Sequence, residues 1–405
     1  MMQRFSLRAL ARDVLLVVLA CALAGQWLLI HGLLHLPLGP VASTVLPGVA
    51  IFGSAVLLSW GAELAQLEVS QALALAFLAL VAVLPEYAVD MYLAWKAAHD
   101  PSYITFAAAN MTGANRLLIG MGWSAVLLAY WTSTGQRVVR VEPAQRLELV
   151  TLLLATVYAF VLPLKRNLSL IDTVFFLGLF IVYIRRASRG HVEEPSLAGP
   201  PERFALLPRP WRRTMTALLF LLPAATIFLA AEPFANGLLH NARRLGIDEF
   251  LLIQWLAPLA SEAPEFIVAV IFALRRNPTA GLGTLVSSKV NQWTLLVGML
   301  PLVYAVSGGH LQVMALDGRQ CEELLLTAAQ SLMAVAILAN LKFGFWEAIL
   351  LLGLFGLQFV FPTPEVRTFL AFGYLAVTVG YWFNPTFRRS FSDLFRFGWR
   401  ASGAS

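Results

Sequence analysis

Twelve stretches of this chain are apolar over a length that suits one crossing of a lipid bilayer, and no other feature limits the fold as much. A helix needs about 20 mostly apolar residues to span the hydrocarbon core. The windows predict helices near residues 13–36, 43–65, 68–96, 103–129, 147–164 and 168–187, then near 213–240, 247–275, 280–306, 321–341, 343–361 and 366–384. A polar stretch over 188–212, with arginines at its ends and prolines between them, separates the two groups. Charged side chains make up 13% of the 405 residues, about half the share of a soluble globular chain. A water-soluble core of this length cannot hide that deficit, so an integral membrane protein is the class that fits.

The basic residues orient the helices, because cytoplasmic loops carry an excess of Lys and Arg. With the N-terminus inside, 20 of the 29 Lys and Arg residues fall on the cytoplasmic side, among them Arg137, Arg140, Lys342, Arg388 and Arg389. Seven, including Lys96, Lys165, Arg166 and Arg367, fall outside, and Arg116 and Lys289 lie within spans. Both termini and the central linker are therefore expected in the cytoplasm, with the chain in the plasma (inner) membrane. The net charge of +6 reflects this distribution and does not point to nucleic acid. Val14–Leu34 is longer than the apolar core of a secretory signal and is read as a retained first span. Cys21 and Cys321 suggest neither a disulfide framework nor a metal site.

The two groups of helices repeat one another. Gly61-Ala-Glu-Leu-Ala leads into Leu67-Glu-Val-Ser and then Val83-Leu-Pro-Glu86; Ala231-Glu-Pro-Phe-Ala leads into Leu245-Gly-Ile-Asp and then Glu262-Ala-Pro-Glu265. Five helices in each repeat, an odd number, turn the second upside down relative to the first, the arrangement of many secondary transporters. The expected fold is thus an all-α polytopic membrane protein with inverted 5+5 transmembrane repeats and one flanking helix at each end. Its parts are a flanking helix (1–42), a first repeat (43–187), a cytoplasmic linker (188–212), a second repeat (213–361) and a last helix with a basic tail (362–405).

Each repeat places a proline beside a glutamate inside an apolar helix. Proline has no N–H, so Pro85 and Pro264 free the carbonyls of Val81 and Ala260 and bend their helices. A carbonyl freed at membrane depth persists only where protein or a water-lined cavity satisfies it. Glu86 and Glu265 lie beside those carbonyls, with Asp90 four residues after the one and Glu262 three before the other, so that each pair shares a helix face. An intramembrane carboxylate costs roughly 2.5–3.5 kcal/mol on insertion scales and commonly marks an ion pathway. Carboxylates and carbonyls together are the oxygen donors that a hard cation such as Ca²⁺ needs. The following span of each repeat adds small and polar residues, Ala109-Asn-Met-Thr-Gly-Ala-Asn115 and Gly283-Thr-Leu-Val-Ser-Ser-Lys-Val-Asn-Gln292.

These motifs resemble those of the sodium/calcium exchangers of the cation–calcium antiporter superfamily, whose repeats carry a Ser-x-Pro-Glu element and, one span later, Gly-Asn-x-x-Gly-Ser-Asn. The resemblance covers roughly residues 43–361. It implies that Glu86 and Glu265 are the central ligands for Ca²⁺, with Asn110, Ser288, Asp90, Glu262, Thr284 and Gln292 around them. Val83 and Glu262 stand where the family has serine, and Lys289 stands on a neutral Asn position. Lys289 and Arg116 are read as charge-compensating, Lys289 with Glu262; the sharper alternative is that an ammonium at 289 takes the place of one co-transported ion. The resemblance implies a secondary-active antiporter of inorganic cations, Ca²⁺ against Na⁺ or H⁺, with no cofactor and no enzymatic step. No Walker, His-Glu-x-x-His or Gly-x-Ser-x-Gly motif is present to suggest a pump or a hydrolase. The alternatives are a transporter on the same scaffold with coupling altered by Lys289, and a membrane protein that has lost transport.

Overall fold

A computed structural model of the chain describes residues 7–65, 67, 84–188, 197 and 199–398. The described chain is helical at each of the expected spans. Helix α1 (Leu7–Trp27) runs into a π-helical segment, Leu28–Leu33, and is followed by α2 (Ala42–Ala65) and α3 (Leu84–Ala97). The expected helix over 68–96 is described only from Leu84, so the freed carbonyl of Val81 lies outside the described residues. Next come α4 (Ser102–Thr134), α5 (Pro143–Lys165), α6 (Leu170–Ala187), the short α7 (Pro200–Phe204), α8 (Arg209–Leu245) and α9 (Glu249–Leu274). Helices α10 (Pro278–Gly308) and α11 (Gly318–Leu338) follow, then α12 (Phe345–Val360), α13 (Pro364–Trp382) and α14 (Pro385–Gly398). Helix α9 continues through both Pro258 and Pro264.

Among the described residues, eight helices are long and apolar enough to cross a membrane by length and composition, or nine if α13 and α14 count as one bent span. The expectation was twelve. Helix α3 is described only in part, α6 carries Asp172, Arg185 and Arg186 within 18 residues, and α12 has 16 residues. Helices α6 and α12 thus coincide with apolar windows without meeting that criterion, and α13 meets it only together with α14. The expected linker is partly helical: α7 falls inside it, and α8 begins at Arg209 rather than near 213.

The chain forms two compact units. The first comprises residues 1–89, 192–252 and 260–264. Its core is the pairing of α2 with α8, which approach closely where a side chain is missing. A Cβ on Gly237 would stand 2.3 Å from the Thr44 hydroxyl oxygen, and one turn along α8 the Asn241 amide donates to that hydroxyl and to the Pro40 carbonyl, both at 2.7 Å. Small residues at such crossings let polar groups bond across helices. The start of α3 joins this unit, with Leu84 and Ala88 packed on Leu58 and Ile227. The linker is tied to α1 by the Arg203 guanidinium, which donates to the buried Asp13 carboxylate at 2.6 Å.

The second unit comprises residues 90–191, 253–259 and 265–405. Two short antiparallel ribbons stitch its repeats together. Strand β1 (Val138–Arg140) pairs with β4 (Lys342–Gly344), and β2 (Asn167–Leu168) pairs with β3 (Met314–Ala315). Strands β1 and β3 precede α5 and α11, the equivalent helices of the two repeats, and β2 and β4 follow them. Exchanging the repeats turns one ribbon into the other. Helix α5 leaves the β1–β4 ribbon and reaches β2, whereas α11 leaves β3 and reaches β4, so the equivalent helices run in opposite directions. That is the inverted repeat, seen directly in strand pairing.

A second correspondence lies within α4 and α10. Each changes from α to π geometry directly after its polar motif, at Leu118–Trp123 in the first and Gln292–Leu296 in the second. The two segments begin 174 residues apart (292 minus 118). Short π segments inside α-helices often mark functional sites.

Candidate ion-binding site

Most polar residues of the α4 and α10 motifs are buried within the second unit. Asp90 on α3 and Asn110 on α4 are both completely buried. Asn110 is the polar neighbour of the Asp90 carboxyl, yet neither carboxylate oxygen and neither amide atom makes a hydrogen bond of ordinary geometry with a described residue. A buried carboxylate without a partner is expensive and persists by carrying a proton or receiving a cation. The unspent oxygens of Asp90 and Asn110 are donors of the kind a hard cation takes.

Glu265 on α9 is partnered differently. The Ser288 hydroxyl of α10 donates to its carboxylate, and Ser288 is itself buried. Glu86 and Glu262 are buried and belong to the first unit. Gln292 is buried at the start of the π segment of α10. Thr284 sits apart from these: it is exposed, and its hydroxyl donates to the Ala280 carbonyl one turn back at 3.0 Å.

Lys289 is completely buried. Its ammonium donates to the Asn115 side-chain oxygen at 2.6 Å and to the Asn115 carbonyl at 3.2 Å, and lies 4.5 Å from the centroid of the Trp293 ring. The interval between Asn115 and Lys289 is again 174 residues, so the two occupy equivalent positions of the two repeats and bond to each other across the internal symmetry. Among the described residues no group of three or more His, Cys, Asp or Glu side chains could hold a metal ion.

Residues 40–188 and 215–363 match the family model described as sodium/calcium exchanger protein. The chain belongs to that family. Among solved structures, the crystal structure of the H⁺/Ca²⁺ exchanger CAX is 42% identical, with a TM-score of 0.92 over 96% of this chain and 98% of that one. The sodium-calcium exchanger NCX_Mj is 18% identical with a TM-score of 0.53 over 80% of this chain and 98% of that one. YfkE is 14% identical with a TM-score of 0.60 over 89% of this chain and 99% of that one. The last two show likeness of fold. No curated protein sequence matched the chain. The protein is accordingly a polytopic membrane transporter of the cation antiporter class.

Within this exchanger scaffold, Arg116 has a partner that the sequence reading missed. Its guanidinium is buried and forms an ion pair with Glu323 of α11 at 2.5 Å. It also donates to the Gln358 side-chain oxygen at 3.0 Å and lies over the Trp255 ring. Gln254 of α9 donates to the same Glu323 oxygen at 3.1 Å, and the cluster continues through Arg367, 2.8 Å from Glu322 and 3.7 Å from Glu323. The helices come close enough for this only because residue 113 has no side chain: a Cβ there would stand 1.9 Å from the Gln254 carbonyl oxygen. Two acidic residues, Glu322 and Glu323, inside an expected span were the available signal.

Proposed function

We propose that this chain exchanges Ca²⁺ for protons by alternating access, with Glu86 and Glu265 as the principal carboxylate ligands. Asp90, Asn110 and Ser288 support them, and Glu262, Gln292 and Thr284 are further oxygen donors along the path. The observation that carries this reading is the Asp90–Asn110 pair, buried and with its oxygens unspent. A carboxylate in that state has two stable conditions, protonated or cation-bound, and exchange between them is proton-coupled cation transport without a covalent step. Membership of the exchanger family and the 42% identity to a structure described as an H⁺/Ca²⁺ exchanger support the same conclusion.

Lys289 favours protons over Na⁺ as the coupling ion. Where the family's pattern has a neutral Asn, this chain holds a buried ammonium fixed on Asn115 and Trp293. An ammonium held at that position stands in the place of one co-transported monovalent cation, which leaves Na⁺ without that part of the site. Protons already bound to carboxylates do not need that space. The positive-inside distribution supports cytoplasmic termini; a plasma-membrane location is part of the same proposal.

Reconstitution into proteoliposomes tests the reading. Vesicles acidic inside should take up Ca²⁺ from a neutral bath, and Glu265→Gln should reduce this uptake at least about a hundredfold, given that charged binding groups in buried sites contribute on the order of 3 kcal/mol or more. An outward Na⁺ gradient at uniform pH should drive none. Uptake driven by Na⁺ as well as by protons would refute the coupling assignment, and uptake under neither gradient would refute Ca²⁺ antiport.

A further inference from the structure

The expected basic tail is an ordered helix, and its shape points to a second role for this end of the molecule. Helix α14 turns 97° away from α13. The turn is written in Asn384-Pro385: proline opens the new helix, where its missing N–H costs nothing, and the Asn384 side chain accepts from the Thr386 amide at 2.9 Å. Phe387 and Leu394 are buried, Phe391 is partly so, and the face packs on Ala336 and Ala339 at the end of α11. Residues 387, 391, 394 and 398 recur at helical spacing, so one face is committed to the protein. Gly398 seats that face against α5, where a Cβ would stand 2.7 Å from a Val150 methyl carbon.

The remaining faces carry Arg388, Arg389 and Arg396, all exposed, against a single acidic residue, Asp393. Beside them stand three exposed aromatic side chains: Phe383, 82% exposed, and Trp382 and Phe395, which each pack one side on Phe391 and leave the rest open. Exposed Arg140 and Lys342 of the β1–β4 ribbon lie at the same end of α11. With α13 as the expected last span, a helix perpendicular to it lies along the bilayer surface. Aromatic rings beside a basic face suit the boundary between headgroups and acyl chains, and guanidinium groups pair with phosphate oxygens.

We propose that α14 lies in the membrane interface and that Arg388, Arg389 and Arg396 bind the phosphate groups of anionic lipids. The rings of Trp382, Phe383 and Phe395 rest among the upper acyl chains, and the committed face transmits the position of the bilayer surface to α11 and α5. The proposal concerns lipid and does not depend on which ions the exchanger carries.

Native mass spectrometry of the full-length purified protein tests it, with phosphatidylglycerol and phosphatidylcholine titrated separately. The wild type should retain phosphatidylglycerol more tightly than phosphatidylcholine. Arg388→Gln with Arg389→Gln should weaken phosphatidylglycerol binding about fivefold for each arginine removed and leave phosphatidylcholine binding unchanged. The corresponding double lysine variant should keep most of the preference. Both side chains are exposed, so the thermal unfolding midpoint of the glutamine variant in detergent should match the wild type. Equal retention of the two lipids by the wild type, or undiminished phosphatidylglycerol binding by the glutamine variant, would overturn the proposal.

Discussion

A buried lysine ammonium needs hydrogen-bond acceptors and a source of negative potential, and Lys289 finds both in residues of its own neighbourhood, Asn115 and Trp293. Its effect on ion choice is therefore separable from folding. Lys289→Asn restores the neutral and shorter side chain of the family pattern, and its expected outcome is that Na⁺ begins to compete with Ca²⁺ for uptake. The measurement is Ca²⁺ influx as a function of external Na⁺, flat in the wild type and falling in the variant; two flat curves would remove Lys289 from ion selection. Arg116 is a different case. Glu323 depends on it for close charge compensation, since Arg367 stands 3.7 Å away. Removing one partner of a buried ion pair costs about 3–5 kcal/mol. Arg116→Gln and Glu323→Gln should each lower the thermal midpoint in detergent, and the double variant should recover part of the loss. Strict additivity of the two losses would mean that the pair is not coupled. Glu86 and Glu265 could be picked out in the sequence because each stands beside a proline in an apolar run. The partner of Arg116 could not, since the two residues of the pair lie 207 positions apart (323 minus 116) and no local periodicity links them.

Individual helices were legible to the extent that their apolar windows were long and uninterrupted. The windows fell on helices wherever the chain is described, but gave no sign of the change to π geometry within α4 and α10, because five or six residues are too few to shift the apolar periodicity. Helix α14 was hidden for another reason: its arginines lower the mean hydropathy, whereas the 387, 391, 394 and 398 spacing that commits its face is a matter of phase. Close packing was legible only as small residues in a row. Gly113 is one small residue among several in that row, yet its demand is specific, because a methyl group there would overlap the Gln254 carbonyl at 1.9 Å. Gly113→Ala must push α4 away from α9 or distort one of them, at a cost of about 1–3 kcal/mol for overpacking. The same shift lengthens the bonds of Gln254 to Glu323 and Thr112, now 3.1 and 3.4 Å. Lower thermal stability together with slower Ca²⁺ turnover is the expected result, and full activity at wild-type stability would show that the crossing has slack.

The arrangement of the second unit ties the repeat to the membrane through its two ribbons. Helices α5 and α11 have 23 and 21 residues, about 35 and 32 Å at 1.5 Å per residue, enough to carry the chain from one side of the hydrocarbon core to the other. The β1–β4 and β2–β3 ribbons stand at opposite ends of both helices and must therefore face opposite compartments. Under the proposed orientation the first ribbon, where Arg137, Arg140 and Lys342 collect, is cytoplasmic by the positive-inside rule, and the loop before β3, with the exposed Leu311, faces outward. Single cysteines in a Cys21→Ala, Cys321→Ala background report this directly. Leu311→Cys should react with a membrane-impermeant maleimide on intact cells, and Lys342→Cys should react only after the membrane is opened. Reaction of both from one side would mean that α5 and α11 do not cross. The inverted relation drawn from the ribbon pairing would then describe a helical bundle whose two ends share a compartment, and a proton gradient across the membrane could not be felt from one ribbon to the other.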